Sequence, residues 1–427
     1  MTPQSTFMVA APIQAHREPE LQRLLGQMND APGQADPRNA LLPFASYPQL
    51  HVARFVILHD KTLSDLGAYG IVFPDAPVWL VFLGDCDGSA EDMLARFAGT
   101  AADGLRQIFA HCEVPPGPDL LDWMRRHSVM PAAQYVNWVG RTVQQIREEA
   151  ALHEFLRNSL GREPHLLSQA PAAIRARLVE QARRGGPVLS PQLATPAAWR
   201  RERALWLTQT ALVGLLLAPI LLLCSPLLLW QLRRRERADP VIAPRPDPLH
   251  VVELAALEDY DVSNAFSAFG SVKPGRFRLW TLLLVFRMLE FSTRFIYTRG
   301  RLARVGTIHF ARWVFLDNRR RLLFASNYDG SLDSYMDDFI NKVAFGLNLV
   351  FSNGIGWPRT RFLLGGGAAR EQEFKNYLRR HQLPTQVWYK AYPGLTAADL
   401  ATNTQIREGL QRASMTDVEA RRWLALI

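Results

Sequence analysis

The sequence predicts an α+β protein in which two copies of one unit pack their antiparallel sheets face to face, with helices outside, around an intervening membrane-anchoring helical segment. Three observations carry this expectation. Residues 211–230, ALVGLLLAPILLLCSPLLLW, run for twenty positions without a charge, and arginines crowd both flanks (Arg200, Arg201, Arg203; Arg233, Arg234, Arg235, Arg237). On either side of that run the same four sequence blocks recur in the same order. The opening strand of each copy, HVARFVIL and HFARWVFL, is apolar on both alternation faces, as a strand covered by two layers must be.

Residues 1–49, rich in Pro, Gln and Ala, read as an N-terminal extension with a short helix at 18–28. The first repeat takes residues 50–160. It opens on the strand 51–58, and a second strand, VWLVFLG at 78–84, follows a loop containing Gly and Pro. The turn 85–89 ends in Ser89, and Glu91 and Asp92 behind it complete an N-cap signature for a helix reaching about residue 112. A further helix starts at 120–127, and 136–160 is amphipathic and laced with charge. Residues 161–249 shift towards Arg, Ala and Pro. They hold a basic helix at 174–184 suited to a membrane surface, the anchor at about 204–232, and a proline-rich linker.

Residues 250–305 read as a connection with an acidic cluster, Glu258-Asp259-Tyr260-Asp261, and an apolar helix at 279–297. Arg287, Glu290 and Arg294 suit that helix to the membrane interface rather than to a span. The second repeat takes 306–427. His51, Ala53, Arg54 and Val56 find counterparts in His309, Ala311, Arg312 and Val314. Asp87-Gly88-Ser89 returns as Asp329-Gly330-Ser331. Trp123 to His127, followed by Pro131, returns as Tyr377 to His381, followed by Pro384. Gln145-Ile146-Arg147-Glu148 finds Gln405-Ile406-Arg407-Glu408, and the second copy has an extra strand and turn at 361–367. Its order of strand, strand, helix, strand, helix, strand is that of a ferredoxin-like unit.

A twenty-residue helix rises about 30 Å, enough for one crossing, which would put the two copies on opposite sides of a bilayer. Two alternatives keep them together. Pro219 and Ser225-Pro226 fold the run into a re-entrant hairpin, or residues 279–297 cross back. In 427 residues the formal charge is +9, mostly arginine near the apolar run, which points to anionic lipid head groups as partners. No nucleic-acid recognition module is visible. Cys86, Cys112 and Cys224 form no CxxC pair, which argues against a disulfide framework or a structural zinc site. With no cleavable signal at the N-terminus, the bulk of the chain is expected on the cytoplasmic face of a membrane.

Arg54 and Arg312 are the most informative charges, since each shares a strand face with apolar residues. A buried guanidinium calls for a carboxylate or an anionic ligand. Asp87 and Asp329, at the ends of the neighbouring strands, are the candidate partners, either in a structural pair repeated with the fold or in a site kept by one copy. They also serve as turn residues. His127 and His381 end helices, where a histidine either complements the helix C-terminus or ligates a metal or haem. His51 and His309 open strands. Gly365-Gly366-Gly367 reads as a plain turn or a phosphate cradle. No GxSxG, HExxH or Walker signature is present.

Gly84, Asp87 and Gly88 form a Gly-x-x-Asp-Gly, and with two ferredoxin-like halves in one chain the sequence resembles the dye-decolorizing peroxidases and their chlorite-dismutase-like relatives. The resemblance implies a haem held by a histidine on one face, with an acidic residue and an arginine on the other to cleave peroxide. Carried onto this chain it implies Asp329 and Arg312 as the catalytic pair and His381 or His309 as the haem ligand. Asp87, Arg54, His127 and His51 are then the alternative site in the first copy. The second copy has Ser326 in place of the first glycine of the motif. Three functions stay open: a membrane-associated haem peroxidase-like oxidoreductase acting on an apolar or lipid-derived substrate, a membrane-anchored binding protein for a lipid or apolar ligand, and a scaffold that binds partners.

Overall fold

A computed structural model describes residues 2–72, 76–191 and 193–427. The first part of the chain forms β1 (Gln4–Pro12), α1 (Glu18–Gly26), the short β2 (Asn29–Ala31) and β3 (Gln34–Ala35), β4 (Leu50–Leu58) and β5 (Trp79–Asp87). Then come α2 (Ala90–Thr100), α3 (Ala102–Phe109), α4 (Leu120–Arg126), β6 (Ala133–Val136), α5 (Val143–Arg162) and α6 (Pro171–Gly185). One long helix, α7 (Ala197–Ala238), leads to α8 (Pro248–Ala255), β7 (Ser263–Ser271), α9 (Arg276–Phe295), β8 (Ile308–Leu316) and β9 (Arg321–Asp329). The chain closes with α10 (Leu332–Phe351), the two-residue strands β10 (Thr360–Arg361) and β11 (Gly365–Gly366), α11 (Glu371–His381), β12 (Thr385–Lys390), α12 (Ala397–Gln411) and α13 (Asp417–Leu424).

Two main sheets result. One has the order β1-β5-β4-β12-β3-β2 and the other β6-β8-β9-β7. All main neighbours are antiparallel except β12 and β3. The shared part of the order is β1-β5-β4-β12 in one sheet and β7-β9-β8-β6 in the other. Each half of the chain thus lays three strands side by side and sends its fourth to the other half's sheet. Trp388 of β12 pairs with Arg54 of β4, and Gln134 of β6 with Arg312 of β8.

The alternation of side chains explains the layering. Met8, Val56, Val81 and Leu83 of the first sheet meet Phe269, Val314, Leu323 and Ala325 of the second in a core between the sheets. Phe7, Phe55 and Phe82 point the other way, onto Phe97, Phe109 and Trp123 of α2 to α4. Phe266, Trp313 and Phe324 do the same against Phe286, Tyr335 and Phe374. Hence β4 is buried at every position and β8 at all but Phe315, which is why both read as apolar on both faces. Ser89 and Ser331 cap α2 and α10 through the N–H groups of Asp92 and Ser334, as the sequence predicts.

Several sequence boundaries shift. Residues 1–49 are no extension, because β1 is a strand of the first sheet. Residues 250–305 likewise hold β7 and α9 as well as a connection. The helix expected to reach about residue 112 breaks at Ala101 into α2 and α3. The extra strand at 361–367 is a two-residue hairpin outside both main sheets. Thr142 and Thr396 cap the helices that follow the exchanged strands, and Gln145 lies three residues beyond the first cap while Gln405 lies nine beyond the second. The Gln-Ile-Arg-Glu blocks are therefore not equivalent positions. The basic helix is α6, which buries Ile174 and Leu178 with Trp423 of α13, while Arg175 donates to the carbonyls of Gly409 and Arg412. That face is docked on protein rather than on a membrane.

The run, for which a hairpin was one of the arrangements left open, is one continuous helix of 42 residues with Pro219 and Pro226 inside it. At 1.5 Å per residue it is about 63 Å long. It is long and apolar enough to cross a membrane, and its apolar stretch is unburied. Both ends are fastened to the same body. Near the start, Trp206 packs on Phe295 and lies under Arg287, which donates to Thr210 Oγ1 at 2.6 Å. At the far end the buried Glu236 accepts from Thr360 Oγ1 and from the N–H groups of Phe362 and Leu363, each at 2.9 Å. Asp239 pairs with Lys273 and Arg278. The helix expected at 279–297 is α9, and among the described residues only α7, not α9, is long and apolar enough to cross a membrane. Helix α9 buries Leu282, Val285 and Phe286 in the core and leaves Trp280, Leu284 and Met288 exposed.

Candidate functional site

Arg54 and Arg312 are both buried, and each reaches across the gap between the sheets. Arg54 donates to Phe266 O at 2.9 Å and Ser326 O at 2.8 Å. Arg312 donates to Phe7 O at 3.0 Å and Gly84 O at 3.2 Å. The acceptors occupy corresponding places on β7 and β9 and on β1 and β5, so the two arginines stitch the sheets together in the same way. The carboxylate differs. Arg312 pairs with Asp85, whereas the matching residue near Arg54 is Asn327. Neither arginine meets Asp87 or Asp329, the expected partners. Burial, reinforced by the repulsion of Arg312, brings the Arg54 guanidinium down to about 9. Burial also raises the Asp85 carboxyl, against the pull of Arg312, His51 and Arg54.

The aspartates turn to the histidines. His51 Nε2–H donates to Asp87 Oδ1 at 2.9 Å, and Asp87 Oδ2 accepts the Val143 N–H at the start of α5, also at 2.9 Å. His309 Nε2–H donates to Asp329 Oδ1 at 2.6 Å, and Asp329 Oδ2 accepts the Ala397 N–H at the start of α12 at 2.7 Å. Each pair neutralises an orphan donor at a helix N-terminus, where negative charge is favoured. The second pair is extended by Ser263 Oγ, which donates to Asp329 and accepts from Lys390 Nζ at 2.7 Å. Burial opposes ionisation of Asp329, but the His309 charge and the hydrogen bonds from His309, Ser263 and Ala397 outweigh it and hold the carboxyl below its ordinary range. Tyr392 joins the two pairs. Its hydroxyl donates to His51 Nδ1 at 3.2 Å, and its ring lies 5.8 Å from the His51 ring and 6.3 Å from that of His309.

His127 and His381 lie elsewhere, as a matched pair. Each Nδ1–H donates to the carbonyl four residues back, Trp123 O at 2.9 Å and Tyr377 O at 2.8 Å, and each ring stacks on that same residue at 4.0 Å. Both complement helix C-termini. His381 is packed so tightly on Gly270 that a Cβ there would come within 2.6 Å of its ring. Gly270 lies seven strand residues from Ser263, the hydrogen-bond partner of Asp329, which is on the order of 24 Å. The cavity beside His381 measures about 30 Å³ and the one between His51 and His309 about 20 Å³. A ligand of haem size needs several hundred. Arg312 faces Asp85, Asp329 faces His309, and His381 sits far along the sheet, so these residues do not assemble around a haem.

The acidic cluster is spent on structure: Glu258 pairs with Arg379 and Asp261 with Lys390. The glycine run makes a turn in which the Gly367 N–H donates to Arg359 O. Among the described residues no group of three or more His, Cys, Asp or Glu side chains can hold a metal.

What sequence reasoning missed is Arg141. It is 3 % exposed, and none of its three guanidinium nitrogens has a hydrogen-bond partner among the described residues. It stacks on Trp138 at 3.9 Å and lines the 20 Å³ cavity with Gln4, Asn137, His51, His309 and Tyr392. Burial lowers its guanidinium to about 10. The signal was present in the repeats: the offset that carries Trp123 to Tyr377 also carries Trp138 to Tyr392 and Arg141 to Leu395, so one copy has a charge where the other has an aliphatic residue. Trp138 is also a wall of a larger cleft of about 600 Å³ that includes Thr142, Ser190, Leu193, Arg299 and Arg407. Leu193 stands four residues before α7 and Arg299 four residues after α9, so the cleft opens at the root of the long helix.

No protein-family model, curated protein or solved structure matches the chain.

Proposed function

We propose that the protein is a membrane-attached binding protein: two ferredoxin-like copies with exchanged fourth strands form a body that α7 holds on the cytoplasmic face of a bilayer, where it binds a lipid-derived amphipathic ligand. The observation that carries this reading is the position of the 600 Å³ cleft beside the segment leading into α7. Trp138, Val139 and Leu193 give the cleft an apolar wall, and its polar lining mixes the exposed Arg299 with Asp87, Glu408 and an Arg407 that pairs with Glu149. Because both ends of α7 are fastened to one body, its apolar middle is best accommodated lying in the membrane rather than separating the copies. The arginines at both ends then meet anionic head groups from one side. An oxidoreductase site on the peroxidase pattern has less support, since the residues it requires are engaged with other partners.

The test is mass spectrometry of apolar compounds that co-purify with the full-length protein in detergent. Leu193 is 65 % exposed, so Leu193→Glu changes the cleft wall without touching the core. The expected result is an amphiphile held by the wild type and depleted in L193E, with melting temperature unchanged. The same profile in both proteins would remove the cleft as the binding site.

A further inference from the structure

We propose that Arg141 is a receptor for a carboxylate group, seated in the small cavity between the two His–Asp pairs. The inference rests on the amphiphile reading only for what the carboxylate is attached to.

A buried guanidinium with three unpartnered nitrogens is costly, and its natural complement is a planar group with two acceptor oxygens. The protein supplies none. Asp87 and Asp329 are held by the histidines and the helix N-termini. The buried Glu149 accepts from Gln145 Nε2 and Thr404 Oγ1, both at 2.7 Å. The guanidinium is also held in place. Gln4 clamps the turn that carries it, accepting the Gly140 N–H at 2.8 Å and donating to the Arg141 carbonyl. Trp138 covers one face of the guanidinium, which leaves its edge for an in-plane ligand.

Two further features bear on an anion here. The cavity of about 20 Å³ is little larger than one water, which restricts any anion at Arg141 to a head group as small as a carboxylate. The counterpart of Arg141 in the other copy is Leu395, so the repeated architecture does not itself require a charge at this point.

The test uses full-length protein in phosphatidylcholine nanodiscs and three probes at constant ionic strength: acetate, octanoate and octanol. Thermal stability and binding calorimetry are read on the wild type and on Arg141→Met, which keeps the apolar stem and removes the charge. At saturation acetate or octanoate should raise the wild-type melting temperature above that in equal chloride. Affinity in R141M should fall about tenfold or more, the loss expected for a charge-assisted hydrogen bond. A carboxylate response that is absent, or equal in the two proteins, overturns the inference and leaves Arg141 solvated by water alone. Should R141M fail to fold, line broadening of 13C-acetate or 13C-octanoate by the wild type decides, and no broadening overturns the inference. Binding of both carboxylates identifies the head group as sufficient, whereas binding of octanoate only identifies an amphiphile as the source. Octanol bound equally by both proteins, without any carboxylate effect, preserves the amphiphile reading and sinks this one. Acetate bound through Arg141 with no binding of either eight-carbon probe does the reverse.

Discussion

At the scale of single residues, Arg54 and Arg312 share one nearby carboxylate, Asp85, and this imbalance makes Asp85 a sensitive position. Asp85→Asn leaves both guanidinium groups without a counter-ion in a buried setting, and is expected to cost about 3–5 kcal/mol in chemical unfolding. A loss below about 1 kcal/mol would show that backbone carbonyls alone suffice. Asp329 gives a pH signature. Its folded-state carboxyl is depressed, so its contribution to stability is present above the unfolded value of about 3.9 and is lost as pH falls from there through the folded value. Asp329→Asn should therefore lower the melting temperature at neutral pH and flatten its decline below about pH 4 relative to wild type. Asp85, whose carboxyl is raised, acts with the opposite sign, so the comparison is between the two proteins rather than along one curve. The types of these residues were legible in the sequence: paired arginines, aspartates and histidines recur at matching places. Their partners were not. Asp85 and Asp87 share one face of β5, and which of them meets Arg312 depends on how the second sheet lies across the first.

At the scale of elements, the long helix and the exchanged strands depart most from the expected arrangement. The sequence showed α7 as an uncharged run with arginine ends, but the prolines that suggested a hairpin are carried inside a continuous helix. Local chemistry could not reveal that its two ends dock on the same body, because Glu236 finds its donors in residues 360–363, far along the chain. The arrangement is testable in sealed vesicles. With Cys224 changed to Ser, Arg201→Cys and Arg237→Cys should react with a membrane-impermeant maleimide from the same side, since the remaining Cys86 and Cys112 are buried. Labelling from opposite sides would mean that α7 spans the bilayer and that its docked ends separate in the membrane. The repeat blocks also misled in one place. The Gln-Ile-Arg-Glu matches fall on two helices that do correspond, α5 and α12, yet six residues out of register. Short motifs on amphipathic helices recur for reasons of composition as well as of descent.

At the scale of the whole molecule, the layer order of helices, sheet, sheet and helices was legible because the central strands are apolar on both faces. The strand exchange was not, since nothing in β6 or β12 states which sheet it joins. That exchange makes the halves interdependent. Expressed alone, residues 2–196 would present β4 without β12, and residues 240–427 would present β8 without β6, each leaving a long apolar strand as an open edge. Neither half is expected to give a cooperative melting transition by itself, while co-expression of the two should yield a soluble complex that does. A first half that folds cooperatively alone would show that the exchanged strand is dispensable.

The pairing of residue 54 with residue 388 also sets an order of events during synthesis. When the ribosome has finished α7, the first half exists but its sheet lacks a neighbour for β4. At translation rates of about 5–20 residues per second, β12 follows roughly 8–30 s later. Throughout that interval the apolar helix is already available to the insertion machinery. On the proposal that α7 lies in the membrane, the nascent protein meets the bilayer before it can close its own core, and final folding takes place at the bilayer surface.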